Sequence, residues 1–155
     1  MNNTNRVYQQ SRLYIGDLND NDLRINASPF PIQRMDYTVS RCHDDNGGTF
    51  GMKESLMNLT IALGENSNAR GFLEKMGDIE PSAFTVVFGG VFENGILIQY
   101  DNIIVFWAYV VDAEESFQVA GDETSNTLLA LRMHLDEIKY ASKENDTVKI
   151  LEIHR

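Results

Sequence analysis

Three histidines, one cysteine and a short acidic run are the side chains in this sequence best suited to chemistry, and their spacing argues against most of it. His43, His134 and His154 stand far apart, and none has a second histidine, a cysteine or a carboxylate at a standard ligand interval, so no metal is expected. Cys42 precedes His43 directly. Neighbours on a strand point to opposite faces, which keeps such a pair from sharing a proton and leaves an inert thiol as the expectation. Asp17, Asn19 and Asn21 occupy alternate positions, as in a calcium loop, but the sixth position is Asp22 instead of glycine and the twelfth is Ser28 instead of glutamate. Asp112, Glu114 and Glu115 could form an acid–base pair. Adjacent carboxylates after an apolar strand are more simply a solvated turn. No serine sits in a nucleophile elbow, and the glycines at Asn46-Gly47-Gly48 and Phe88-Gly89-Gly90 match neither phosphate-binding fingerprint. The expectation is a protein without cofactor or catalytic residues.

Composition narrows the partners. The chain carries 13 basic and 23 acidic residues, a net charge of −10, so nucleic-acid backbones and anionic membrane surfaces would repel it. Hydrophobic residues make up 43% of the 155 positions, enough to build one ordinary core. Residues 103–111 are the most apolar stretch, about half the length of a membrane-spanning helix, so no membrane insertion is expected. The first eleven residues hold neither a basic n-region nor an apolar h-region, which predicts cytoplasmic synthesis without a signal peptide.

The elements that must position these side chains read mainly as strands. Residues 1–11 are rich in Asn and Gln and are expected to form a loose arm, with one domain over residues 12–155. A first strand over residues 12–18 ends in the turn-forming Asp17, Asn19, Asp20, Asn21 and Asp22. Phe30 and Ile32 alternate in one phase and Met35, Tyr37 and Val39 in the other, which predicts a β-bulge near Gln33 and Arg34. Residues 43–51 form a polar loop, and Leu59, Ile61 and Leu63 give a strand with one apolar face. Ser67 or Asn68 could cap a short helix carrying Phe72, Leu73 and Met76, closed by Gly77. Asn94-Gly95 predicts a type I′ hairpin between two apolar runs. Residues 103–111, apolar on both faces and including Trp107 and Tyr109, read as a central strand covered on each side, by the helix and by a neighbouring subunit. Residues 127–140 fit a helical face and a strand alternation equally; their β-rich surroundings decide for strand. Residues 147–153 close the chain as a further strand.

Taken in order, these elements resemble the tube protein of type VI secretion systems, the haemolysin-coregulated protein (TssD) family, and look most like its Bacteroidetes branch. The pattern runs from Phe30–Ile32 into Tyr37–Thr38–Val39, through the Asp-Asn-Gly-Gly loop, the 59–63 strand, the helix around Phe72 and Met76, the Asn94-Gly95 hairpin and the 103–111 strand with its Asp112 to Phe117 continuation. It covers about residues 12–140. Where the family pattern has a proline after the Asp-x-x-Gly stretch, this chain has Thr49-Phe50.

The resemblance implies a β-barrel of two packed antiparallel sheets with one flanking short helix, closing into a homo-hexameric ring. Such rings stack into a tube inside a contractile sheath, with spike and baseplate components and secreted effector proteins as further partners, and the tube leaves the cell through the apparatus itself. Asp44, Asp45, Asn46, Gly47, Gly48, Thr49 and Phe50 are then the candidates for contacts between subunits or rings; as a plain exposed linker the same loop is equally reasonable. Two alternatives stand beside this reading. One is the tail tube of a related phage-like contractile machine, and the other a monomeric ligand-binding barrel with an apolar interior. A hydrolase using Asp112, Glu114 or Glu115 is a third.

Overall fold

The structure, a computed structural model, describes residues 6–25, 29–39, 55–63, 69–118, 126–142 and 147–152. Eight strands and two short helices follow one another: β1 (Arg6–Ile15), α1 (Asp20–Ile25), β2 (Phe30–Thr38), β3 (Leu56–Leu63), α2 (Arg70–Lys75), β4 (Ser82–Glu93), β5 (Ile96–Gln99), β6 (Asn102–Gln118), β7 (Asn126–Ser142) and β8 (Thr147–Glu152). All pairings are antiparallel. The ladder runs β1-β2-β3-β7-β6-β4, and β1 pairs again with β4, which closes a barrel. β5 adds to β4 beyond the end of β6, and β8 adds to β7 beyond the end of β3.

Alternation decides what fills the barrel. Met57, Leu59, Ile61 and Leu63 of β3, Phe84 and Val86 of β4, Ile104, Phe106, Ala108 and Val110 of β6, and Leu129, Leu131, Met133 and Leu135 of β7 form one buried cluster. Period-two spacing sends each set to the same side of its strand. A second, smaller cluster lies on the opposite face of β1 and β4, where Tyr14, Val87 and Phe92 pack with Leu23 of α1, Leu97 of β5 and Tyr100. Val86 and Val87 thus serve different cores.

Several expectations hold. The register of β2 against β3 slips between Ile32 and Arg34, so Gln33 is the extra residue that joins the two phases. Asn94 and Gly95 take φ of 53° and 81°, the pair of positive values a type I′ turn needs. Residues 127–140 are strand, paired with β3 over one half and with β6 along their length.

Others are corrected. The expected loose arm is strand from Arg6 onward, because its backbone pairs with β4 at Arg6–Glu93, Val7–Phe92 and Gln10–Gly90 whatever the polarity of its side chains. Gly90 permits that approach: a Cβ there would stand 3.0 Å from the Gln10 carbonyl oxygen. The acidic turn after β1 continues into α1, which Asn19 and Asp22 start reciprocally. The Asp22 amide donates to Asn19 Oδ1 at 2.9 Å, and the Asn19 amide to Asp22 Oδ2 at 3.3 Å. Asp112, Glu114 and Glu115 lie within β6 rather than in a turn after it, since β7 supplies partners as far as Gln118.

Helix α2 buries Phe72 alone; Leu73 and Met76 are exposed, because six residues make too few turns for a full apolar stripe. Ala69 at its start makes no side-chain cap, and Ser67 and Asn68 lie outside the described residues. The outer face of β6 is half-covered by the molecule itself: Ile103 joins the second cluster, and Lys139 Nζ sits 4.9 Å from the centre of the Trp107 ring. The cover expected from the helix is found on the inner face, where α2 packs against β6 and Phe72 joins the cluster that holds Phe106.

Candidate assembly surfaces

The loop from Asp44 to Phe50, singled out in the sequence for subunit contacts, lies outside the described residues, as do His43, His154 and Cys42. What the structure does define is a set of strand edges and faces. β4 pairs with β6 only over residues 102–108 of β6, while β7 follows β6 to residue 118. From residue 109 to 118, β6 therefore has a partner on one side and, among the described residues, none on the other. β2 shows the same asymmetry: β1 reaches it only at Pro31 and Phe30, and residues 34–38 pair with β3 alone. Backbone donors and acceptors along such edges are ready to accept another strand. Val111 and Phe117 on the β6 edge are exposed to 41% and 69%, and Tyr37 on the β2 edge to 37%.

Between those edges runs a polar outer face spanning β2, β3, β7 and β6. Register places Asp36, Asn58, Arg132 and Asp112 in one row and Arg34, Thr60, Ala130 and Glu114 in the next. Asn58 Nδ2 donates to Asp36 Oδ1 at 3.0 Å, and Arg34 Nε lies 3.4 Å from Asp36 Oδ2. Asp112 and Glu114 meet Arg132, Asn58 and Thr60 around a shallow depression. Charges of both signs alternate here in an open setting. No group of three metal-ligating side chains occurs among the described residues, and His134 stands in β7 opposite Tyr109 and Leu56.

Among the described residues the most perturbed ionisable groups are Arg12 and Tyr14, side by side on the outer face of β1. Burial pushes the Tyr14 phenol up to about 12, against the pull of the nearby Arg12 charge. Burial also lowers Arg12, which stacks 4.7 Å from the centre of the Phe92 ring, bonds Gln10 Oε1, and leaves its Nε buried without a partner. A phenol held protonated and a stacked guanidinium supply neither nucleophile nor base near neutral pH.

Sequence reading missed one apolar surface. Leu73, Met76 and Ile79, on α2 and the bend after it, are exposed to 49%, 44% and 92%. Ile79 sits between Asp78 and Glu80 outside any periodic pattern, so alternation could not reveal it.

By sequence, the chain matches no protein-family model and no curated protein. By structure it is similar to a crystal structure of an Hcp protein, at 14% identity and a TM-score of 0.57, over 91% of this chain and 98% of that one. It is also similar to Hcp1 from Flavobacterium johnsoniae, at 12% identity and 0.53, over 88% of this chain and 98% of that one. A third similarity is to the cryo-EM structure of an extracellular contractile injection system, the PVC sheath–tube complex in its extended state, at 9% identity and 0.50, over 86% and 89% of the two chains. At such identities the likeness is one of fold: this chain has the Hcp-like β-barrel, and the resemblance read from its element order holds at that level.

Proposed function

We propose that this chain is a structural subunit that assembles into hexameric rings, and that the rings stack into the inner tube of a type VI or related contractile injection system, with effector proteins carried in the channel. The observation that carries the reading is the likeness along nearly the whole chain to Hcp proteins and to a chain of a sheath–tube complex. The edges of β2 and β6, which have no partner among the described residues, support it, since a ring gives each edge a neighbour and closes on itself without free ends. The mixed polar face between those edges suits the wall of a water-filled channel. Sheath, spike and baseplate components are the further partners this reading requires. Synthesis in the cytoplasm and export through the apparatus follow from the same reading, and no helix among the described residues is long and apolar enough to cross a membrane.

A structural role also accounts for the chemistry. Asp112 and Glu114 share an open face with Arg132, and among the described residues the groups that burial perturbs are an arginine and a protonated tyrosine. The ligand-binding barrel is disfavoured by the interior, where Leu59, Ile61, Phe84, Phe106, Leu129 and Met133 pack at 1% exposure or less. Electron microscopy and native mass spectrometry of the purified protein test the proposal: six-membered rings are expected, and a strict monomer at high concentration overturns it. The loop from Asp44 to Phe50 remains the proposed contact between subunits or rings, tested by exchanging it for a Gly-Ser segment and repeating the ring assay. Unchanged rings and stacks would remove it from the interface.

A further inference from the structure

The exposed apolar surface on α2 and the bend after it has a definite shape, a rigid base and a sign of charge. Scattered exposed leucines are ordinary, but Leu73, Met76 and Ile79 follow one another at intervals of three along a single short segment. Phe72 anchors that segment in the barrel core, its ring 5.4 Å from Phe30 and 6.4 Å from Phe84. Lys75 Nζ reaches back to 5.8 Å from the centre of the Phe84 ring, and Arg70 Nε pairs with Glu74 Oε1 at 2.9 Å. The surface is thus held in place before anything binds, which lowers the ordering cost of binding. Beside Ile79 the chain from Gly77 to Ser82 frames a shallow depression.

Charge decides the kind of partner. The two cations of the segment are engaged, Arg70 with Glu74 and Lys75 over Phe84. Asp78 and Glu80, which flank Ile79, are exposed and form no ion pair among the described residues. The uncompensated charge around the apolar patch is therefore negative, on a chain whose net charge is −10. A second copy would bring the same excess of negative charge, whereas a cationic surface would be drawn in. We infer that Leu73, Met76 and Ile79 receive a protein segment that presents an apolar side chain between lysines or arginines, with Asp78 and Glu80 meeting its cations.

The test titrates the isotope-labelled full chain with an amphipathic helical peptide of lysine and leucine, using a glutamate–leucine peptide as control, and follows amide shifts by NMR. Shifts should concentrate on residues 73–82, weaken as salt is raised, and be absent with the acidic peptide. Ile79→Ser and the pair Asp78→Asn with Glu80→Gln should each weaken binding by about tenfold or more, a factor worth about 1.4 kcal/mol. Ile79 is 92% exposed, so its variant keeps the fold. Shifts on another face, equal binding of the acidic peptide, or unchanged affinity in the variants would overturn the inference. Native mass spectrometry on the same samples separates it from the tube reading. Wild-type protein without rings contradicts the tube reading, whereas rings lost in Ile79→Ser would assign the patch to a contact between copies and overturn the cationic partner.

Discussion

Phe72 of α2 and Phe84 of β4 stack with ring centres 6.4 Å apart and planes 6° from parallel, and this contact fastens the helix to the barrel. Phe84 in turn stacks on Phe106 of β6 at 5.2 Å, so one line of aromatic rings links the helix to the inner core. Phe72 is the single buried side chain of a six-residue helix that is too short to persist on its own. Phe72→Ala should cost about 3–5 kcal/mol of stability, read by chemical denaturation, and α2 should lose its amide protection before the barrel does. A loss below about 1 kcal/mol would mean that the helix is held by something else.

Thr85 is fully buried, and its hydroxyl ties the exit of β1 to β4. Oγ1 donates to the Gly16 carbonyl at 2.7 Å and accepts from the Leu18 amide at 3.2 Å. Thr85→Val keeps the shape and leaves both backbone groups unmatched, at a cost of about 1–3 kcal/mol. Thr85→Ser retains the hydroxyl and should lose less. A larger loss in Thr85→Ser than in Thr85→Val would show that the methyl group matters more than the hydroxyl.

Tyr14 gives the stability a dependence on alkaline pH. Its folded-state value is raised to about 12 from an ordinary 10, so the neutral phenol is favoured by folding. Below pH 10 both states keep the proton and the full stability is present; as pH rises from about 10 to 12 the unfolded chain loses the proton first and stability falls. Tyr14→Phe should flatten this decline in denaturation curves taken across that range. An identical slope in wild type and variant would refute the assignment.

The stretch of β6 from residue 109 to 118, paired only with β7 among the described residues, makes a separate prediction about assembly. Val111 and Phe117 are exposed on it, and lysines at a strand edge block the addition of another strand. Val111→Lys with Phe117→Lys should change the unfolding free energy by no more than about 0.5 kcal/mol for each exposed site and convert rings to monomers in native mass spectrometry. Rings of unchanged abundance would move the subunit contact away from this edge.

Much of the barrel was legible because its signals are local. The Asn94-Gly95 turn, the phase slip at Gln33 and the alternation of residues 127–140 each state their conformation within a few residues. The start of β1 was not, since Arg6 to Ser11 owe their strand to backbone pairing with β4 and to the missing side chain at Gly90. Helix α1 was hidden for another reason: Asn19 and Asp22 are turn residues and capping residues alike, and only their reciprocal bonds distinguish the two roles. The assembly surfaces are the least legible feature, because an open edge is a fact about which strands stop where. Asp112 and Glu114 illustrate this: as sequence they suggest a turn, and as structure they stand on a long strand whose far side has no partner among the described residues.

Electron microscopy of the purified full-length chain at increasing concentration is the most direct test of the tube proposal. The account predicts rings of six subunits with an open centre, stacking end to end as concentration rises. Monodisperse monomers throughout, with native mass spectrometry giving the mass of one 17.6 kDa chain, would contradict it.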